Sequence, residues 1–293
     1  MVAVFMVTYN HENYIEQAIE SALMQKTTFP IKIFIGEDCS SDKTAAICLR
    51  YKEENPELIE VRLNKQNLGA TNNAKQVFEA CFISGAKYVA MLEGDDYWTD
   101  PYKLQKQVDF LEANEDFAIC FHNVEVRYEN GFKNSYLHCS KEQNIELTIL
   151  DLAYENPIPS CSCIFRNNTK NLPSWFFEMP IGDWPLHIIN AQYGKIKYFP
   201  EIMGVYLLHD NGCWTQYTLI QRSQILLSMY DILLNHFQHI PKFYSALQQG
   251  RKKYSDILDL QQPKNVWLKD KKRKKTFIWR IITNYLPYFI VKK

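Results

Sequence analysis

Val2-Ala3-Val4-Phe5-Met6-Val7-Thr8, followed at once by Tyr9-Asn10-His11, is the stretch on which the fold turns. An unbroken apolar run of this length closed by polar residues reads as a buried strand that ends in a loop. Behind it Tyr14, Ile15, Ala18, Ile19, Ala22 and Leu23 recur at helical spacing. Glu12 and Glu16 sit early in that segment, where the helix dipole favours acids. Strand, loop and helix make one βα unit, and the pattern then repeats.

Ile31–Gly36 is apolar and β-branched, Glu37 to Asp42 is polar, and 43–55 reads as a helix stopped by Pro56. Ile59–Leu63 predicts a third strand, Asn72–Ser84 a third helix and Tyr88–Leu92 a fourth strand. Thr99-Asp100-Pro101 supplies a capping acid and a proline suited to a first helical turn, for a helix running to about Asn114. Four βα units in succession predict an α/β fold, a mostly parallel sheet flanked by helices.

Past Phe117 the rhythm breaks into strand-like runs, Ala118–Val126 and Ser160–Phe165, joined by polar loops. From about Thr218 the chain turns helical, with Ile225, Leu226, Met229, Ile232 and Leu233 in register. The expected organisation is a domain over 1–215, made of a first half (1–116) and a second half (117–215), with a C-terminal helical region over 216–293. A composition of 46% hydrophobic and 23% charged residues is ordinary for a folded chain, and 293 residues suffice for such a domain and its appendage.

Net charge is zero, but 264–293 carries ten Lys/Arg against the single acid Asp270, so the remainder of the chain is acidic. An acidic body argues against nucleic acid as partner. Lys269–Lys275 is followed by Phe277, Ile278, Trp279, Ile281, Ile282, Tyr285, Leu286, Tyr288 and Phe289, interrupted by Arg280 and Pro287. That apolar part is shorter than the ~20 residues a membrane span needs. A basic, aromatic, amphipathic segment suits the headgroup layer of an anionic membrane, and packing on the domain is the competing reading. The eight scattered cysteines fit reduced thiols, and no leader-like segment opens the chain. The expected location is therefore the cytoplasm, peripheral to the inner face of the membrane.

Ligands of an open α/β sheet gather at the carboxyl ends of its strands. Three polar clusters fall there: Thr8-Tyr9-Asn10, Glu37-Asp38 and Glu93-Gly94-Asp95-Asp96. Three carboxylates within four residues are electrostatically costly unless a cation neutralises them, and a hard divalent ion with phosphate ligands is the natural partner. A solvated turn with a helix cap is the plainer alternative. No Gly-x-Gly-x-x-Gly follows the first strand and no Gly-x-x-x-x-Gly-Lys-Ser/Thr occurs, which sets dinucleotide oxidoreductases and P-loop ATPases aside.

Val7-Thr8-Tyr9-Asn10, the Glu16–Gln25 segment, Glu37 to Thr44, Asn67-Leu68-Gly69 and Leu92 to Trp98 occur together in an order and spacing that resembles the family 2 glycosyltransferases of GT-A fold. The resemblance covers about the first third of the chain closely. It implies an inverting, metal-dependent transferase that moves a sugar from a nucleotide-sugar, expected to be UDP-linked, to a hydroxyl of a glycan or polyprenyl-lipid-linked acceptor in surface-polysaccharide or lipopolysaccharide assembly. It places Thr8, Tyr9, Asn10, Asp38, Asn67, Gly69 and Asp95 around the nucleotide-sugar, with Asp38 accepting from the base. It gives Asp95 and Asp96 to the metal, Mn²⁺ or Mg²⁺, and leaves the part of Glu93 less defined.

In the second half, Ile181-Gly182-Asp183-Trp184 resembles the family's catalytic-base motif and nominates Asp183, although taken alone Asp183 reads equally as a helix N-cap. Val205 to Asn211 resembles the segment that closes over the diphosphate, so His209 is a further candidate metal ligand. Leu207 stands where relatives often carry Arg. Trp98 and Trp184 are candidate sugar-stacking platforms for the acceptor, with a place in the core as the alternative. Two other classes remain open: a noncatalytic sugar-nucleotide or glycan-binding protein, and a nucleotidyltransferase, although Thr8 to His11 lacks the Gly-rich loop usual in the latter.

Overall fold

The structure, a computed structural model, describes residues 1–261 apart from 130, 132, 133, 170, 211 and 213. The basic tail 264–293 and its expected membrane contact lie outside the described residues.

The first half is the expected βα series: β1 (Val2–Thr8), α1 (Ile15–Leu23), β2 (Ile31–Glu37), α2 (Thr44–Glu54), β3 (Ile59–Leu63), α3 (Ala70–Ile83) and β4 (Tyr88–Met91). A two-residue strand β5 (Tyr97–Trp98), not expected from the sequence, precedes α4 (Lys103–Ala113). Asp100 accepts from the backbone N–H of Tyr102 at 2.8 Å, just ahead of that helix. The second half holds β6 (Phe117–Tyr128), β7 (Tyr136–Leu137), β8 (Glu146–Leu147), α5 (Ile149–Leu152), β9 (Ile164–Arg166), α6 (Asp183–Ala191) and β10 (Lys195–Leu208), and then α7 (Leu219–His236) and α8 (Pro241–Gln261). Ser160–Ser162, expected as strand, is a 3₁₀ turn, and only 164–166 continues as β9.

Among the described residues one sheet runs β3-β2-β1-β4-β9-β6-β10-β5. The β3-β2-β1-β4 half is parallel, as the alternation of strands and helices requires. The strand β9 then joins it antiparallel to both β4 and β6, and β10 pairs parallel with β6. Successive side chains of β1 point to opposite faces. Ala3 and Phe5 enter one core with Phe34, Val77 and Phe78, while Val2, Val4 and Met6 enter another with Ile15, Ile19 and Ile33. Burial on both faces is why this strand carries no alternation of polar and apolar residues.

Helix α7 begins on Thr218, which forms a reciprocal capping pair with Gln221. Leu226, Met229, Tyr230 and Leu233 of α7 and Phe243 and Leu247 of α8 belong to the same core as Phe5 and Trp184. The Tyr230 hydroxyl donates to the Ala153 carbonyl at 3.1 Å, tying α7 to the end of α5.

Candidate functional site

The three loops that follow β1, β2 and β4 are sewn together by their backbones. Asp38 N–H donates to the Thr8 carbonyl (3.1 Å), and Gly94 N–H donates to the Val7 carbonyl (3.0 Å). Asn10 adopts φ 53°, a left-handed conformation that Asn tolerates. Its N–H donates to Ser40 Oγ (2.9 Å) and its Oδ1 accepts from Ser41 N–H (2.9 Å), so the side chain is spent on joining the first and second loops. Tyr9 stands exposed beside it.

Asp38 is buried, and its carboxylate accepts from Leu68 N–H (2.8 Å), Gly69 N–H (2.9 Å) and Asn64 Nδ2 (2.8 Å). Asn67 Nδ2 donates to the Asp38 carbonyl at 3.3 Å. Gly69 takes φ 79°, which delivers its N–H to Asp38 at little cost for glycine and at considerable cost for other residues. The structure thus brings Asp38, Asn67 and Gly69 into one cradle, with Thr8 next to it.

Gly94 is needed for the close approach of the first and third loops. A Cβ there would lie 2.8 Å from Thr8 Cβ and Oγ1. Thr8 Oγ1 and Glu93 Oε2 are buried without a hydrogen-bond partner among the described residues. Burial raises the Glu93 carboxyl to about 8, and the charges of Asp95 and Asp183 push it the same way. Burial opposes ionisation of Asp95 too, but its hydrogen bond with His209 and the nearby His11 outweigh that and hold it below the ordinary carboxylate range. His209 Nε2 lies 3.0 Å from Asp95 Oδ2, and His11 Nε2 lies 3.9 Å from the same oxygen.

Asp96, expected at the metal, faces the other way. It is buried and accepts from Leu207 N–H at 2.8 Å, and burial together with the charges of Asp95 and Glu93 pushes its carboxyl well up, favouring the neutral form. The group that could hold a metal ion among the described residues is Asp95, His209 and His11, whose donor atoms all lie within 4.8 Å of one another. Carboxylate oxygen and imidazole nitrogen are donors that suit a divalent cation. His11 was not singled out from the sequence, and it becomes visible only once the loops after β1 and β4 and the residue following β10 come together.

Both tryptophans expected at the acceptor are core residues instead. Trp98 is 2% exposed and donates its indole N–H to the Cys161 carbonyl (2.7 Å). Trp184 is 4% exposed and donates to the Leu152 carbonyl (2.8 Å). A buried indole N–H must find an acceptor, and each found a backbone carbonyl rather than facing outward.

Asp183 is the first residue of α6, one past the N-cap Gly182, and the backbone N–H groups of Asp183 and Trp184 at that helix start favour its ionised form. Asn156 Nδ2 donates to Asp183 Oδ2 (3.2 Å), while Asn156 Oδ1 accepts from Ile158 N–H (3.2 Å), which fixes the direction of the amide. Burial raises the Asp183 carboxyl above its ordinary value. Asp183, at the start of α6, is close enough to Glu93, after β4, to help raise it.

A mostly parallel α/β sheet whose strand ends carry the Asp38 cradle and an acid-imidazole cluster is a fold of the kind that binds ligands at its carboxyl edge. The model of "Glycosyl transferase family 2" matches residues 3–171, and the chain belongs to that family. An uncharacterized protein of Mycobacterium tuberculosis (strain ATCC 25618 / H37Rv), Rv1520, is 36% identical over 215 residues, which cover 73% of this chain and 60% of that protein. The chain therefore spans about 60% of the length of such relatives. The dTDP-rhamnosyl transferase RfbG of Shigella flexneri is 29% identical over 167 residues, 56% of this chain and 54% of RfbG. Among solved structures, S. aureus TarS 1–349 in complex with UDP-GlcNAc superposes with a TM-score of 0.62 at 16% identity, over 89% of this chain and 76% of TarS, a likeness of fold.

Proposed function

We propose that this chain is an inverting glycosyltransferase that moves a sugar from a nucleotide-sugar, with UDP as the expected nucleotide, to a hydroxyl of a glycan or polyprenyl-lipid-linked acceptor in surface-polysaccharide assembly. The observation that carries the reading is that Asp183, a buried carboxylate with a raised pKa, lies close enough to bias Glu93, in the same loop as the Asp95 that bonds His209. A dTDP-linked relative and a UDP-sugar-bound neighbour support a pyrimidine nucleotide, since uracil and thymine present the same imide N–H to a carboxylate.

The cradle over Asp38 receives the base, with the free lone pairs of its carboxylate accepting the imide N–H and Thr8 Oγ1 lying alongside. Tyr9 and Asn10 border the same loop, and Asn67 and Gly69 shape it. Asp95 and His209 would hold a divalent cation, Mn²⁺ or Mg²⁺, which would supply Lewis-acid stabilisation of the charge on the departing diphosphate. Asp183 takes the proton of the acceptor hydroxyl as its oxygen attacks the anomeric carbon from the face opposite the diphosphate. A new C–O bond forms, the bond to the diphosphate oxygen breaks with its electron pair, and the configuration inverts.

The test is thermal stability against a panel of nucleoside diphosphates and their sugars, with Mn²⁺, Mg²⁺ or chelator, because a ligand of the native state raises the melting point by mass action. One pyrimidine nucleotide should stabilise the protein in a metal-dependent way, and Asp95→Asn should abolish that shift. Asp183→Asn should keep the shift while losing sugar transfer. Transfer at the parent rate by Asp183→Asn would remove the base assignment, and failure of every nucleotide with every metal would leave a noncatalytic binding module.

A further inference from the structure

We infer that His11 is a third protein ligand of the centre formed by Asp95 and His209, and that this centre takes up a divalent transition ion before any nucleotide arrives. The inference rests on the transferase reading for the location of the cation. It goes beyond that reading in naming the additional ligand and the order of binding.

The donors come from three segments far apart in sequence: the loop after β1, the loop after β4 and the residue following β10. His209 Nε2 is 3.0 Å and His11 Nε2 is 3.9 Å from one oxygen of Asp95, and all three donor atoms fall within 4.8 Å. An ion at about 2.1 Å from each nitrogen and oxygen requires neighbouring donors about 3 Å apart and opposed donors a little over 4 Å apart. The set therefore closes on an ion by shifts of well under 1 Å, roughly side-chain libration.

His11 is also held as a ligand needs to be. Its N–H donates to Thr44 Oγ1 (2.8 Å) and its carbonyl accepts from Tyr14 and Ile15 N–H (both 2.9 Å), so its backbone is fixed at the entry to α1. Its side chain is only 16% exposed. The two imidazoles stand perpendicular, centroids 5.8 Å apart. Tyr14 lies against both, at 4.7 Å from the His209 ring and 6.0 Å from the His11 ring, and its hydroxyl donates to Glu129 at 2.5 Å. That wedge restricts rotation of both rings.

With Asp95 alone, or Asp95 and His209, a cation would depend on diphosphate oxygens to complete its shell. Three protein donors, two of them imidazole nitrogen, are enough to retain an ion by themselves. They favour Mn²⁺, Co²⁺ or Zn²⁺ over Mg²⁺ and Ca²⁺, which prefer oxygen.

The full chain, stripped with chelator and free of nucleotide, is titrated with Mn²⁺ while the paramagnetic resonance signal of the free ion is followed. One Mn²⁺ should bind per chain, His11→Ala and His11→Gln should each weaken it about tenfold or more, and a hundredfold excess of Mg²⁺ should leave it in place. Unchanged Mn²⁺ affinity in both variants would overturn the ligand assignment. Uptake by the parent chain only when a nucleoside diphosphate is added would overturn the order of binding, and displacement by Mg²⁺ would overturn the ion class. The Gln variant keeps bulk and polarity at position 11, and its circular dichroism and melting curve separate loss of a ligand from loss of fold. If Asp95→Asn and His209→Ala also leave Mn²⁺ affinity unchanged, the metal reading of the transferase falls as well. If only the His11 variants do, that reading stands.

Discussion

Lys103 offers a quantitative test of the packing behind the third loop. It is 0% exposed, its ammonium has no hydrogen-bond partner among the described residues, and it lies 3.9 Å from the centroid of the Trp98 ring. Burial lowers its pKa from 10.5 to about 8. A depression of that size corresponds to a native-state penalty of about 3 kcal/mol for carrying the proton at pH 7. The contact with the indole face returns up to about 2 kcal/mol of it. Lys103→Met keeps the length and most of the packing while removing the charge, so the variant should be more stable at pH 7 by about 1–3 kcal/mol. The sign of the pH dependence follows from linkage. The folded pKa lies below the unfolded one, so the penalty is complete below about 8 and fades as pH rises toward 10.5, where the unfolded chain also releases its proton. Urea denaturation of both proteins at pH 7 and pH 9.5 should show the advantage of the variant shrinking by about 2 kcal/mol. A variant less stable than the parent by the same amount at both pH values would refute the reasoning, because the ammonium–indole contact would then outweigh the cost of burial.

Asn156→Ala removes a donor to Asp183 Oδ2, so the carboxylate loses about 1 kcal/mol of stabilisation and the Asp183 pKa rises further. A base acts when deprotonated, so the acid limb of the kcat/KM profile should move to higher pH by roughly 0.5–1 unit, and an unmoved limb would contradict the role of Asn156. Gly94→Ala puts a methyl 2.8 Å from Thr8 Cβ and Oγ1, both on a β-branched side chain packed in the site. It should cost about 1–3 kcal/mol in denaturant and weaken nucleotide binding, and wild-type values for both would show that the loops yield.

The sequence was most legible where one rule acts alone. Strand β1 and strand β3 match their expected spans: β1, buried on both faces, is a plain apolar run that needs no phase, and β3, at the sheet edge, alternates Ile59, Val61 and Leu63 with Glu60 and Arg62. Strand β10, fourteen residues long, went unread: Pro200 and Glu201 interrupt it, and its pairing with β6 slips between Phe199 and Ile202 and again between Ile202 and Gly204, which destroys any period-two pattern. The same limit applies inside the site. Asp95 and Asp96 are equivalent in a string of acids, yet the turn closed by Asp96 N–H on the Glu93 carbonyl sends one to His209 and the other to Leu207 N–H. Asp38 with Asn67 and Gly69 was readable as a group from the resemblance. His11 and Asn156 depend on contacts between segments that no local pattern encodes.

The acidic quartet shows how one loop supplies carboxyl groups with different tasks. Left in the same environment, Glu93, Asp95 and Asp96 would repel one another equally and titrate as a block. Instead Asp96 is enclosed, and burial with the charges of Asp95 and Glu93 pushes its carboxyl up against the opposing pull of the Leu207 N–H, a bond that anchors the loop to β10. Asp95 is turned toward two imidazoles and stays ionised. Glu93, buried and pushed the same way by Asp95 and Asp183, is driven up to about 8. Asp95 is thus the carboxylate of the quartet held below its ordinary range, and it is the one that faces His209 and His11. In the proposed mechanism that pairing would set a cation on the leaving side and leave Asp183 to accept the proton on the attacking side.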